Sequence, residues 1–498
     1  MSKMKDLFRN LVVFELANNH QGSIGHGRRI IGLLGEAARK FSIRAGVKLQ
    51  YRDLDSFIHR DFINRADIKH IPRFLTTRLS PEEFGNLVEC IRDNGLIPIC
   101  TPFDEKSVDL CVEHGIDILK IASCSAIDWP LLEKAAETAK PIIISTGGKT
   151  FTDMDNIHSF FKHRGINFAM LHCVGLYPLR NADTQLEVMT RMMKRYHDIH
   201  IGYSGHEPAE NTDIVKMAIA KGAGILERHV GLEAGDIKLN AYSLDASKID
   251  EWLNAIAAAR EICGCAGHKA ISESEIQSLN ELSRGCYAAQ PIQKGEAIPR
   301  SAVYFAMPCL PDQISSGQFQ DGMTASRDYK KDQGILENKG RTVVNEIREL
   351  IHEINGMLGE ARITLAPEFR LELSHHYGLE KFKECGVAMI GIINREYCKK
   401  ILILLPGQRH PAHFHKSKEE TFHVLCGDMR IDLEGTVMEC KPGDVIVVPR
   451  TAWHSFSSRQ GCIFEEISTT HIREDSFYDD PNINKLDPML RKTVLDRW

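Results

Sequence analysis

The sequence has no long apolar run. Its opening, MSKMKDLFRNLVVFEL, is too short in hydrophobic residues for a signal peptide or a spanning helix, and Glu15 interrupts it. Neither sign of charge dominates: 62 Lys and Arg against 67 Asp and Glu leave a net charge of −5. That balance gives no support for binding nucleic acid or an anionic membrane. The 14 cysteines include no CxxC pair, and Cys263-Gly264-Cys265 has the wrong spacing for a tetrahedral zinc site. Reduced thiols in a cytoplasmic protein are the simplest expectation. No Gly-rich dinucleotide loop follows the first apolar segment, which argues against a doubly wound nucleotide fold. What remains is the composition of an ordinary soluble globular protein, 43% hydrophobic and 26% charged. At 498 residues it exceeds what one core usually supports, so several domains are expected.

From residue 11 to about 265, short apolar runs alternate with amphipathic stretches. The runs are LVVFEL (11–16), AGVKLQ (45–50), LIPICT (96–101), ILKIAS (118–123), PIIIST (141–146), FAMLHC (168–173), IHIGYS (199–204) and GILERH (224–229). Val, Ile and Leu without clean alternation are the mark of a parallel sheet covered on both faces. Between the runs, Ser80-Pro81-Glu82-Glu83 reads as an N-cap with proline at the first helical position. Eight such units in roughly 250 residues predict a (β/α)8 TIM barrel.

In that fold the chemistry stands at the C-terminal ends of the strands. Polar residues recur there: Glu15 and Asn19-His20 after the first run, Lys48 and Gln50 after the second, Thr101 after the third, Lys120 and Ser123 after the fourth. The sixth brings His172 and Tyr177, the seventh Ser204 and His206, the eighth Glu227 and His229. One polar strand end means little; the same end of successive strands makes an active site the economical explanation. Two lysines with hydroxyls suit an anionic, phosphate-bearing ligand. His206 and His229, on adjacent strands, could share a divalent cation with positions left open for substrate. For His172 alone, a satisfied core histidine is the better reading.

The series FELANNHQG, VKLQ, CTPFD, LKIAS, STGG, LHCVGLYP, GYSGH and ERH resembles, in order, the N-acetylneuraminate (sialic acid) synthase family. The resemblance runs over about residues 11–335. Ser283-Arg284-Gly285-Cys286-Tyr287 and Pro291 to Glu296 are similar to the small antifreeze-like (SAF) domain that follows the barrel in that family. The resemblance implies condensation of phosphoenolpyruvate with an aldose such as N-acetylmannosamine, with release of phosphate. It implies phosphoenolpyruvate contacts at Lys48, Thr101, Lys120, Ser123 and Ser204, and a divalent metal, typically Mn²⁺, on His206 and His229. Glu15 and Glu227 become acid–base or orienting groups, and Gln50 and Tyr177 sugar contacts. It further implies a homodimer in which Arg284 of each SAF domain reaches the sugar in the partner's barrel. The chain departs from the family at the sugar end: Cys124-Ser125 replaces Gly-Glu, Gly175 replaces Asn, and Gly235 to Asn240 replaces a shorter Gly-Pro-Asp segment. The substrate is therefore less fixed than the reaction type.

Residues 338–358 read as a connecting amphipathic helix, with Val344, Ile347, Leu350, Ile351 and Ile354 on one face and Gly356 at its C-cap. Short strand-like runs follow, punctuated by Gly435 and Pro442-Gly443-Asp444, as in a jelly roll. Gly407 to Gly427 reads G-x5-H-x-H-x4-E-x6-G, and Gly443 to His454 reads G-x5-P-x4-H. Both resemble the motifs of the cupin family, with Thr451 where glycine is common. Alternation points His413 and His415 the same way, and Glu420 and His454 complete a shell suited to Mn, Fe, Ni or Zn. Lys418 beside Glu419-Glu420 is similar to sugar-isomerase cupins, a likeness at fold level, and a cupin kept as a non-catalytic binding or oligomerisation module is the equal alternative. Glu465, Glu466 and His471 could reach the same pocket or form a solvated strand edge.

The expected organisation is a barrel over 1–275, an SAF domain over 276–337, a linker helix over 338–360, a cupin over 361–475 and a tail over 476–498. The leading expectation is a phosphoenolpyruvate-dependent synthase with a fused metal cupin. A class II-type metal aldolase and a sugar-responsive assembly protein are the alternatives.

Overall fold

The computed structural model describes residues 7–264, 269–336, 343–366, 368–472, 474–496 and 498. Cys265 and the first residues of the expected linker lie outside them. The chain divides into two compact units between Lys269 and Ala270. Among the described residues no helix is long and apolar enough to cross a membrane.

The first unit is a closed barrel of eight parallel strands in sequential order: β1 (Leu11–Glu15), β2 (Ala45–Tyr51), β3 (Ile97–Pro102), β4 (Ile118–Ile121), β5 (Ile142–Ser145), β6 (Phe168–Cys173), β7 (His200–Gly205) and β8 (Ile225–His229). Closure is explicit, since β1 pairs with both β2 and β8. Each lies within two residues of its expected run. The largest difference is β4, which stops at Ile121 because Ser123–Ser125 already turns as a short 3₁₀ segment. The helix over Pro81–Asp93 starts as expected: Ser80 accepts from the Glu83 amide while the Glu83 carboxylate accepts from that of Ser80.

Alternation along the strands explains where the site lies. Leu11, Val13, Ile99, Ile118, Ile143, Leu171 and Ile225 form one buried cluster. Two residues further along the same strands come Glu15, Thr101, Lys120, Ser145, Cys173 and Glu227. A step of two keeps a side chain on one face, so the polar set stands directly above a packed apolar floor. At Gly202, on β7, an added Cβ would crowd the Ile225 carbonyl and the Leu171 side chain. Gly202→Ala should therefore destabilise the protein by about 1–3 kcal/mol. An unchanged denaturation midpoint would count against a barrel closed this tightly.

The second unit begins with a helix over Glu273–Leu282 and a small module built from β9 (Gly285–Ala288), β10 (Ala297–Ile298), β11 (Val303–Ala306) and β12 (Met323–Thr324). It has its own core, including Cys286, Ile298, Ile314 and Tyr329. The helix over Val343–Glu360 follows. Gly356 lies inside it, contrary to the expected C-cap, because Leu358 extends the apolar face by another turn. Leu350, Ile354 and Leu358 pack with Leu371, Ile390 and Ile403, whereas Val344 is exposed. The helix is thus part of the β-sandwich core and not merely a connector.

Two antiparallel sheets complete the chain. One has the order β20 (Val445–Val448), β17 (Glu420–Gly427), β22 (Cys462–Thr469), β15 (Tyr397–Leu404), β14 (Val387–Asn394), β13 (Leu371–Ser374) and β24 (Lys492–Leu495). The other runs β19 (Thr436–Cys440), β18 (Met429–Leu433), β21 (His454–Ser457), β16 (Arg409–His415) and β23 (Ser476–Tyr478). The segment expected as a tail supplies β23, which pairs with β16, and β24, which pairs with β13. Both edges offered unpaired backbone groups that these strands satisfy. Thr451 holds a positive φ of 64°, the backbone state for which glycine would be the usual residue.

Candidate functional sites

At the barrel mouth the charged side chains form one buried network. Lys48 Nζ lies 3.0 Å from Glu15 Oε2 and 2.9 Å from Glu227 Oε1. Lys120 Nζ donates to Ser145 Oγ at 2.7 Å and lies 3.5 Å from Glu227 Oε1. Ser204 donates to the same Glu227 oxygen at 2.7 Å, and Gln50 donates to Glu15 Oε1 at 2.7 Å. Burial works against charge throughout. For Glu15 it is outweighed by His229, Lys48 and Lys120, so the carboxyl is held far below its usual range.

The lysines shift in opposite directions although they share Glu227. Lys48 is raised despite burial because two carboxylates touch it. Lys120 is lowered, since burial dominates its longer contact to Glu227 and Lys48 adds repulsion. Among the described residues, two buried oxygens here lack a protein partner, Thr101 Oγ1 and Glu227 Oε2. Buried polar groups are rarely left unsatisfied, so the pair marks where a ligand or water would bind.

His206 and His229 stand beside this network with ring centroids 5.4 Å apart. His206 Nδ1 meets the Val174 carbonyl at 3.0 Å, which fixes the tautomer with the lone pair on Nε2. Burial, with His229 beside it, lowers the His206 pKa to about 3, and burial lowers His229 as well. Neutral imidazoles are what a divalent cation needs. Glu15 Oε2 is 3.1 Å from His229 Nε2. The donor set fits a cation held by two histidines with further positions open.

Tyr177 is exposed but its ring centroid lies 4.1 Å from that of His206. Ser123 Oγ accepts from the Gly147 amide at 2.9 Å. Arg284 is exposed and belongs to the second unit. His172 Nε2 meets the Thr184 carbonyl at 2.7 Å, in line with a structural role.

Three residues of this mouth were missed from sequence. Ser145 stands at the end of β5, where the strand-end rule would have found it. Arg52 donates to Gln50 Oε1 at 3.0 Å and stacks over Phe103, 3.6 Å from its centroid. Tyr242 lies 5.1 Å from His229, ring to ring, and no local motif announces it.

The second site lies between the cupin sheets. The candidate ligand atoms of His413, His415 and His454 all fall within 4.8 Å of one another, the only such group of three among the described residues. His413 and His454 face each other across β16 and β21. Every Nδ1 is occupied by a backbone carbonyl: Pro411 for His413 at 3.1 Å, Asp475 for His415 at 2.7 Å, Ala452 for His454 at 3.1 Å. Each ring is thereby fixed with Nε2 as the free donor. Glu420 reaches His415 Nε2 at 3.4 Å and His454 Nε2 at 3.2 Å. Lys418 bridges Glu420 at 2.5 Å and Glu466 at 3.0 Å. Three histidines and a carboxylate fit a first-row transition metal.

His413, His415, Lys418 and Glu420 line a cavity of about 760 Å³. Glu466 and His471 line it too, with Lys400 between them at 3.3 and 3.4 Å. Glu465 does not; it pairs with Lys399 at 2.7 Å on the other face of β22.

Residues 37–268 match the model of the NeuB family, and residues 400–461 match the cupin domain. The crystal structure of a candidate spore coat polysaccharide biosynthesis protein E from Chromobacterium violaceum is 40% identical, covering 66% of this chain and 98% of that one, with a TM-score of 0.64. The N,N'-diacetyllegionaminic acid synthase of Campylobacter jejuni is 26% identical over 66% of this chain and 99% of its own length. Human N-acetylneuraminate-9-phosphate synthase is 29% identical over 45% of this chain; the chain spans 62% of that enzyme's length.

Proposed function

Because the chain belongs to the NeuB family, we propose that its barrel condenses phosphoenolpyruvate with an aldose to give a nonulosonate-type 2-keto acid and inorganic phosphate. The observation that carries this reading is the buried Lys48–Glu15–Glu227–Lys120 network with its two unsatisfied acceptors beside a pair of neutral histidines. Lys48, Lys120, Thr101, Ser123 and Ser204 hold the phosphate and carboxylate of phosphoenolpyruvate. Gln50 and Tyr177 contact the sugar, with Arg284 from the SAF domain of a second copy. A divalent cation, Mn²⁺ in this reading, would sit on His206 and His229 and polarise the aldehyde as a Lewis acid.

The enol carbon of phosphoenolpyruvate forms the new bond to the aldehyde carbon. The aldehyde oxygen takes up a proton from solvent as that bond forms, with Glu15, fixed by Gln50 and Lys48, orienting the sugar. Water adds at the carbon bearing the phosphate, and Glu227, through its free oxygen, accepts its proton. The bond from that carbon to the bridging oxygen then breaks, and phosphate leaves. Holding both reactants in one pocket supplies much of the acceleration. Aldose-dependent release of phosphate from phosphoenolpyruvate tests the reading; phosphate release indifferent to every aldose tried would reject it. An aldolase using a simple ketone donor has no use for two buried lysines, which favours the synthase.

For the cupin, the reading supported by Lys418 and Glu466 side by side over three prepared histidines is an aldose–ketose isomerase that feeds the barrel. Such an isomerisation moves one proton between adjacent carbons and another between their oxygens, so it needs a base and an acid at one metal. A product released by a domain of the same chain would be locally concentrated for the barrel. His413→Ala and truncation before residue 338 should both abolish use of the ketose while leaving use of the matching aldose intact. Equal ketose use by His413→Ala and the wild type leaves the cupin as a binding or assembly module.

A further inference from the structure

Among the described residues, the cupin cavity holds a cation with no anion to meet it. Arg491 lines the cavity at the end of the short turn Pro488–Arg491, just before β24. Its Nε and Nη1 are buried and have no hydrogen-bond partner among the described residues. Four of the five acidic groups of the same cavity are already engaged. Glu372 faces Lys492 at 3.3 Å, and Asp496 faces Arg370 at 2.7 Å. Glu420 and Glu466 are both held by Lys418. The fifth, Glu368, is exposed to solvent.

A guanidinium offers five donors in a planar fork, and leaving buried ones unmet is costly. Tyr478 links this group to the histidines: its ring centroid is 5.3 Å from Arg491 Cζ and 5.4 Å from the His413 ring, to which it lies nearly parallel. One ligand in this cavity can therefore meet the histidine cluster at one end and Arg491 at the other.

We propose that Arg491 is an anion-recognition residue and that the cupin takes a sugar carrying an anionic group, a phosphate or a carboxylate. The fork geometry of Arg matches both anions in a bidentate contact. The proposal concerns the cupin alone and does not depend on the barrel reaction.

The test is calorimetric binding to full-length, metal-loaded protein, without phosphoenolpyruvate. The probes are mannose 6-phosphate, glucuronate and neutral mannose. Titrations are run in the wild type and in a Lys48→Met background, where one of the barrel's phosphate contacts is removed and barrel binding is weakened. At least one anionic probe is expected to bind roughly tenfold or more tightly than mannose, the value of a charged hydrogen bond. Arg491→Gln should erase that preference in both backgrounds without changing mannose binding or the cupin's metal content. Arg491→Lys, which keeps the charge and loses the fork, should erase part of it and serves if Arg491→Gln does not fold. A response to mannose 6-phosphate alone identifies the anion as phosphate, and to glucuronate alone as carboxylate. Equal binding of all three probes to wild type, or an anionic preference that survives both substitutions, would overturn the proposal. Failure of the synthase reading would appear only in the phosphate-release assay and leave these titrations untouched.

Discussion

Lys48→Met is expected to lower kcat/KM for phosphoenolpyruvate by roughly 10²–10⁴-fold, the range set by removing one partner of a buried ion network at about 3–5 kcal/mol. Methionine keeps the apolar stem, so packing is largely preserved while the charge goes. The change leaves Glu15 and Glu227 facing each other without the cation that lies 3.0 and 2.9 Å from them. Some loss of stability should accompany the loss of activity. Lys120→Met should also act on phosphoenolpyruvate, with a smaller effect on stability, because Lys120 meets Glu227 only at 3.5 Å. Steady-state kinetics with each substrate varied in turn checks both. If the variants lose affinity for the sugar and keep it for phosphoenolpyruvate, the two halves of the site have been assigned the wrong way round.

Removing the divalent cation should stop the barrel reaction almost completely. His206→Ala and His229→Ala should each lower the rate by roughly 10³-fold or more, since Lewis-acid polarisation supplies several kcal/mol. The fold should survive, because both side chains stand above the packed floor of the barrel. Metal analysis on the isolated variants separates loss of the ion from loss of structure. A thoroughly chelated enzyme that condenses at the normal rate would refute this assignment.

Parallel strands buried on both faces leave a continuous apolar signature, so the eight runs and their polar ends were legible in the sequence. Glu15, Lys48, Lys120, Ser204 and Glu227 come from separate strands, yet the strand-end rule gathers them. The candidate ligands of the cupin were legible for a different reason: spacing along one strand and a Pro-Gly-Asp turn before the distal histidine encode them locally. What stayed hidden depends on pairing across long separations. Tyr478 and Arg491 enter the cupin cavity only because β23 and β24 complete sheet edges, and nothing near residues 476–498 signals that docking. Gly356 misled because a glycine after an apolar stripe resembles a C-cap unless the next turn is also apolar, as Leu358 makes it. Arg52 was overlooked because its partners, Gln50 and Phe103, define its role only when β2 and β3 lie side by side.

The reaction assigned to the barrel breaks the carbon–oxygen bond of phosphoenolpyruvate and leaves the phosphorus–oxygen bond intact. Running the aldose-dependent reaction in water enriched in oxygen-18, and weighing both products, tests that assignment most directly. Solvent oxygen should appear in the 2-keto acid and be absent from the released phosphate. Phosphate that carries solvent oxygen, or that forms at the same rate without aldose, would mark the barrel as a hydrolase and contradict the account.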